Sequence, residues 1–104
     1  MIHLTASTKI LIATEPADFR RGIDGLCAVC RLQLSKDPRA GTVFVFINRS
    51  KTMVRALTYD GSGFWLMTKR LSTGKFQRWP RSNTPVTAML ATQLRQLLSG
   101  SDAP

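Results

Sequence analysis

The chain has 104 residues, which is enough for one compact domain and too few for two. A hydrophobic content of 43% excludes a disordered chain, and no apolar run approaches the roughly 20 residues that span a membrane. Fifteen Lys and Arg against six Asp and Glu give a net charge of +9, which favours an anionic partner. The N-terminus lacks the pattern of a secretory signal, so we expect a cytoplasmic protein of one domain, residues 1–104, frayed at 1–8 and 101–104.

A strand and a helix come first along the chain. Residues 9–13 are rich in Ile and Leu and predict a short strand, and Pro16 marks the turn after it. Asp18 can cap a helix over residues 19–35, whose apolar residues recur with helical spacing.

Two cysteines, Cys27 and Cys30, form a Cys-x-x-Cys motif inside that helix. A redox pair usually lies at a helix start, and a zinc site needs about four ligands, whereas the only other soft ligand is His3. We therefore predict two buried thiols, no metal site and no cofactor.

Several strands and a second helix follow. An unbroken apolar run at residues 42–48 predicts a central strand with both faces covered. Asp60-Gly61-Ser62-Gly63 predicts a hairpin turn. The remaining strands are expected at residues 52–59, 64–71 and 75–79. Thr84 and Pro85 are typical of a helix start, and Gly100 would end that helix.

This order of elements predicts an α+β protein. We expect an antiparallel β-meander of about four to five strands, with two helices packed on one face.

The positive charge is concentrated in the second part of the chain. Residues 1–38 carry five cations and four acids, whereas residues 39–104 carry ten cations and two acids. Clustered cations with Arg in excess favour phosphate contacts, although a basic surface can also serve solubility alone. Eight side chains around the meander are the candidate nucleic-acid-binding residues: Arg49, Lys51, Arg55, Lys69, Arg70, Lys75, Arg78 and Arg81.

Aromatic residues lie among these cations. Trp65, Phe76 and Trp79 could stack on bases, as on a single-strand-binding surface, or could belong to the core. Large rings are usually buried, which favours the core.

Catalytic chemistry has little support in the sequence. A metal-dependent nuclease needs two or three convergent carboxylates, but Asp60 lies in a turn, Asp102 in the tail, and Asp18 and Asp24 on different sides of a helix. No phosphate-binding glycine loop is present. We expect a protein that is not an enzyme.

Four segments together resemble one family. They are DFRRGIDGL from Asp18, GTVFVFINR from Gly41, YDGSGFWLMTKRLSTGKFQRWP from Tyr59 and TQLRQLLSGSD from Thr92. They are similar to TnpB, the accessory protein encoded by the second reading frame of insertion sequence 66 elements, which is distinct from the RNA-guided nuclease of the same name. The chain departs from the family pattern at Ser72, where Glu is usual, and in having two residues between Phe76 and Trp79 instead of one.

The resemblance implies a non-catalytic role in bacterial transposition beside a larger transposase that carries the acidic catalytic residues. By position in the motifs, Arg20, Arg21, Lys69, Arg70 and Trp79 are functional candidates. Asp18, Arg20, Arg21 and Asp24 could instead form structural ion pairs.

Two hypotheses follow for the partner. The protein binds DNA, either transposon ends or non-specific duplex, through its basic sheet surface; alternatively, it is an adaptor that docks on the transposase through Phe64, Trp65 and Trp79. An exposed edge strand would also allow a homodimer.

Overall fold

The computed structural model describes residues 4–99 and contains a five-stranded mixed sheet with two helices. The elements are β1 (Ile10–Ala13), a 3-10 turn (Phe19–Arg21), α1 (Gly22–Leu32), β2 (Val43–Ile47), β3 (Met53–Tyr59), β4 (Phe64–Arg70), β5 (Val86–Met89) and α2 (Ala91–Leu98). The strand order is β4-β3-β2-β1-β5, with β1 and β2 parallel and every other pair antiparallel. The predicted α+β class is confirmed.

The central strands are buried on both faces, as the unbroken apolar run of β2 predicts. One face packs Phe44 and Phe46 against Leu26, Cys27 and Cys30 of α1. The sheet face covered by α1, called the α1 face below, thus holds one of the two apolar cores.

The opposite face packs Val43, Val45 and Ile47 of β2 against Ala91 and Leu94 of α2. The two helices therefore lie on opposite faces, and the expectation that both pack on one face is corrected. The reason is the alternation of side chains along β1 and β2, which gives each strand two apolar sides to cover.

Two segments differ from their predicted conformation. Val86–Met89 forms β5, paired with β1 through Ile10 and Met89, so Thr84 and Pro85 do not start a helix. The helix begins at Ala91, where the Leu90 backbone N–H donates to Gln93 Oε1 at 2.9 Å. Residues 75–79 form no strand. Gly100, the expected end of α2, lies outside the described residues.

The segment from Leu71 to Pro85 crosses the end of the sheet with its two aromatic rings turned inward. Phe76 and Trp79 are only 1% and 8% exposed and pack into the α2-side core. The Phe76 backbone N–H donates to the Lys51 carbonyl at 2.8 Å, and the Trp79 indole donates to the Ala13 carbonyl at 2.9 Å. Both rings are core residues in this fold. Within residues 4–99, neither helix has the length and apolar character to cross a membrane.

Candidate nucleic-acid interface

One end of the sheet gathers three segments that are distant in sequence. Because β1 and β2 are parallel, both of their carboxyl ends lie there, and the Ala17 backbone N–H donates to the Ile47 carbonyl at 2.8 Å. The last residues of β4 are held there too, since the Leu71 N–H donates to the Thr52 carbonyl at 3.0 Å. We define the basic end as residues 14–21, 48–52 and 70–85.

The basic end is strongly positive. Within these ranges the only acids are Glu15 and Asp18, and Asp24 follows in the first turn of α1. It carries eight cationic side chains, which are Arg20, Arg21, Arg49, Lys51, Arg70, Lys75, Arg78 and Arg81. Six of the eight predicted nucleic-acid-binding residues are therefore brought to one region, together with two candidates from the motifs.

The Asn48 side chain builds the turn that presents Arg49 and Lys51. Its Oδ1 accepts hydrogen bonds from the backbone N–H groups of Thr52 at 3.0 Å and Met53 at 3.1 Å. Lys51 adopts a left-handed conformation with φ of 62°. Asn48 was not among the residues predicted from the sequence, although an Asn at the start of a polar turn is a known signal for such side-chain bonding.

Several cations of the basic end have no protein partner. Within residues 4–99, the following exposed side chains make no hydrogen bond or ion pair with another residue: Arg49, Lys51, Arg70, Lys75 and Arg81. Their donors are available to a ligand, and phosphate oxygens suit them in charge and geometry.

Arg55 is placed differently from the other predicted cations. It is half-buried on the α1 face, where its guanidinium donates to the Phe19 carbonyl at 2.7 Å and its Nε donates to Thr68 Oγ1 at 3.0 Å. Its guanidinium carbon also lies 4.9 Å from the centre of the Phe19 ring. These contacts tie β3 and β4 to the start of α1, which gives Arg55 a structural role.

Lys69 and Arg20 also have protein partners. The Lys69 ammonium, on the α2 face, donates to the carbonyl oxygen of Leu98 at the end of α2. Arg20 forms an ion pair with Asp18, with Nη2 2.8 Å from Oδ2, and its hydrogen bonds hold the pKa of Asp18 down at about 2. For Asp18 and Arg20, the structural ion-pair interpretation agrees with this contact. Arg21 makes no ion pair within residues 4–99 and lies over Gly25.

A cleft of about 440 Å³ opens within the basic end, between residues 16–20 and 48–50. Arg20 and Arg49 both line it, together with Phe19 and Asn48. Its position outside the carboxyl ends of two parallel strands is the usual ligand position in sheets with parallel strands. The cleft is large enough for one nucleotide unit.

The three aromatic residues considered for an adaptor surface do not share a surface. Trp79 is buried, Phe64 packs towards α1, and Trp65 is 46% exposed on the α2 side. The Trp65 indole donates to Asp60 Oδ2 at 2.8 Å, so it also fixes the hairpin.

The thiols and carboxylates form no chemical centre in the part of the chain that the structure describes. No three His, Cys, Asp or Glu side chains of residues 4–99 are arranged to hold a metal ion. Cys27 and Cys30 are buried and unbonded, and burial raises the pKa of Cys30 to about 12 and also raises that of Cys27. His3 and Asp102 lie outside the described residues.

Comparisons with known proteins agree with the sequence motifs. The family model described as IS66 Orf2 like protein matches residues 8–104. The uncharacterized protein y4jC of Sinorhizobium fredii is 43% identical over 76 residues, which are 73% of this chain and 65% of that protein. The uncharacterized protein y4hO of the same organism is 36% identical over 102 residues, 98% of this chain and 88% of that protein. No solved structure gives a significant match.

Proposed function

This chain belongs to the IS66 Orf2-like family, and from that premise we propose that it binds DNA through the basic end as a non-catalytic accessory protein of insertion-sequence transposition. The family suggests an accessory transposition protein. Its partner in that role is the larger transposase of the same element, which supplies the catalytic carboxylates. The ligand of the basic end is the phosphate backbone of the element's ends or of non-specific duplex.

The observation that carries the proposal is the imbalance of charge at one end of the sheet. The segments of the basic end carry eight cations and two carboxylates, and one of those carboxylates is already paired with Arg20. Such a cluster focuses positive potential outward, where a polyanion can approach. Backbone phosphates supply most of the affinity in this kind of binding and give little sequence preference.

Salt dependence of DNA affinity tests this proposal. The logarithm of affinity should fall linearly with the logarithm of salt concentration, with a slope of about 0.9 per phosphate neutralised. The Lys51→Ala/Arg70→Ala variant should reduce that slope by about 2 and weaken binding at low salt.

A matched control removes two exposed cations from the other end of the sheet. The Lys9→Ala/Lys36→Ala variant has the same net charge as the first variant, and both of its positions are distant from the basic end along the strands. It should leave the slope almost unchanged. Equal slopes for the two variants would show that general charge, and not the basic end, attracts DNA.

A further inference from the structure

The outer edge of β4 carries unpaired backbone groups. β4 is the edge strand of the sheet, with β3 on its inner side. The Asp60 N–H donates to the Gly63 carbonyl and the Leu71 N–H to the Thr52 carbonyl, so the odd-numbered residues of β4 bond to β3. The N–H and C=O groups that point outward therefore belong to Phe64, Leu66, Thr68 and Arg70.

The side chains of β4 are unusually apolar for an exposed edge. Trp65 and Met67 are 46% and 38% exposed on the α2 side. An apolar groove of about 200 Å³ continues from Met67 towards Leu94 and Leu98 of α2. Proteins usually protect such an edge with charged side chains, Pro, a bulge or a covering segment. The seven residues of β4 contain neither Pro nor Gly, and their only charges, Lys69 and Arg70, are confined to one end of the strand.

We propose that β4 pairs antiparallel with β4 of a second copy, about a two-fold axis at Met67. In this register the outward groups of Phe64 meet those of Arg70 of the second copy, and those of Leu66 meet those of Thr68. All outward-facing backbone groups of both strands are then bonded. Two five-stranded sheets become one continuous sheet, and no other two-fold register pairs all seven residues.

The side chains of β4 complement one another in the same register. On the α2 side, Trp65 lies beside Lys69 of the second copy, and Met67 meets its own counterpart. On the α1 side, Phe64 lies beside Arg70 of the second copy. Each aromatic ring thus faces a cation, which is an attractive arrangement. The order of side chains along β4, with rings at one end and cations at the other, is self-complementary.

Charge repulsion between two basic chains does not prevent this pairing. In this register the two copies of Lys69 lie four residues apart along the strands, about 13 Å, and those of Arg70 six residues apart, about 20 Å. Both separations exceed the Debye length of about 8 Å at physiological salt. An extended segment of another protein is the competing occupant of this edge, but it would need its own matching order of rings and cations. The second copy supplies that order itself.

Sedimentation velocity without DNA tests the pairing independently of the proposed function. The wild-type protein should associate into a species of twice 11.6 kDa. Thr68→Pro removes an outward N–H and none from the β3 ladder, and Thr68→Val loses the same hydroxyl bond to Arg55 but keeps the N–H. Thr68→Pro should therefore raise the dissociation constant at least tenfold above that of Thr68→Val. Ala88→Pro removes an outward N–H from β5, at the other edge of the sheet, and should leave association unchanged.

Substitutions of Trp65 test the register itself. Trp65→Glu keeps an attractive partner for Lys69 of the second copy, whereas Trp65→Lys places two cations opposite each other. The lysine variant should dissociate at least tenfold more readily than the glutamate variant. Amide hydrogen exchange on the wild-type protein should slow at Leu66 and Thr68 as concentration rises, which tests the pairing even if a proline variant unfolds.

Three results would overturn the proposal. The first is a wild-type protein that stays monomeric at about 100 µM. The second is equal dissociation constants for the two Trp65 variants. The third is a rate of exchange at the Leu66 and Thr68 amides that does not depend on protein concentration. Protection of those amides only when another protein is added would assign the edge to that other protein.

Discussion

The indole nitrogen of Trp79 donates a hydrogen bond to the carbonyl oxygen of Ala13, 2.9 Å away across 66 positions of the chain. This contact fastens the loop of the basic end to the carboxyl end of β1. Together with the buried Phe76 ring, it fixes the course of the backbone between two exposed cations, Lys75 and Arg78.

Truncation of Trp79 should therefore destabilise the whole protein. Trp79→Ala removes a buried ring and should lower the free energy of unfolding by about 3–5 kcal/mol. Trp79→Phe keeps most of the packing but leaves the Ala13 carbonyl unbonded, and should cost about 1–3 kcal/mol. Urea denaturation measures both. Trp65→Phe, which loses an exposed indole bond, is the control and should cost less than about 1 kcal/mol; an equal loss for both Phe variants would contradict the anchoring role of Trp79.

Replacement of Arg55 should change stability and leave DNA binding intact. Arg55→Lys cannot reach the Phe19 carbonyl and Thr68 together, so the free energy of unfolding should fall by about 1–2 kcal/mol. Arg70→Lys is the comparison, because Arg70 has no protein partner within residues 4–99, and its stability should be unchanged. Arg55→Gln removes the charge, and its salt slope of DNA affinity should equal that of the wild type. A slope lowered by about 1 in Arg55→Gln would instead make Arg55 a phosphate contact.

Acid should destabilise the hairpin between β3 and β4. The backbone N–H of Ser62, followed by the Trp65 indole, lowers the pKa of Asp60 to about 2. A carboxylate whose pKa is lower in the folded state stabilises the fold above its unfolded pKa of about 4. That contribution is lost as the pH falls from about 4 to about 2.

The Asp60→Asn variant should be less stable than the wild type at pH 7 and should lose less stability between pH 5 and pH 2. Denaturant midpoints across this range measure the difference. Asp18→Asn should flatten the profile further, since Arg20 lowers the pKa of Asp18 to about 2 in the same way. If the stability of the wild type and of Asp60→Asn fell in parallel with pH, Asp60 would not be a source of the destabilisation by acid.

The two thiols should be unreactive until the protein unfolds. Burial raises the pKa of Cys27 and Cys30, so little thiolate exists at pH 8 and a disulfide reagent should label the folded protein slowly. In denaturant both should react at once. Cys27→Ala/Cys30→Ala should reduce stability by about 1–3 kcal/mol and leave DNA affinity unchanged. Rapid labelling of the folded protein would contradict this expectation and would favour a redox role for the two thiols.

The sequence predicted the elements whose local signals agree with their packing. The β2 run was recognised because it is apolar on both sides, and the hairpin because Asp60 and two glycines fit only a turn. The same pattern indicates that both faces of β2 are covered. It therefore favours helices on opposite faces of the sheet, and the prediction of both helices on one face did not use this information. The parallel pairing of β1 and β2 was not visible locally, because it depends on α1 crossing one face of the sheet.

The misassigned segments have local signals that tertiary contacts override. Thr84 and Pro85 resemble a helix start, but pairing of Val86 with Ala13 makes the segment a strand. Phe76 and Trp79 are three residues apart, which does not fit the two-residue period of a strand. Six of the eight predicted cations lie in the segments that form the basic end. Which of them bond to the protein, as Arg55 and Lys69 do, could be known only from the folded arrangement.

The two rings that fasten the loop leave its other positions free to vary. Gln77 and Asn83 are exposed on the same loop, and neither belongs to the core. Substitutions there would alter the outer surface while Phe76 and Trp79 keep the backbone in place. The chemistry of this outer surface can therefore differ between related chains while the fold stays the same.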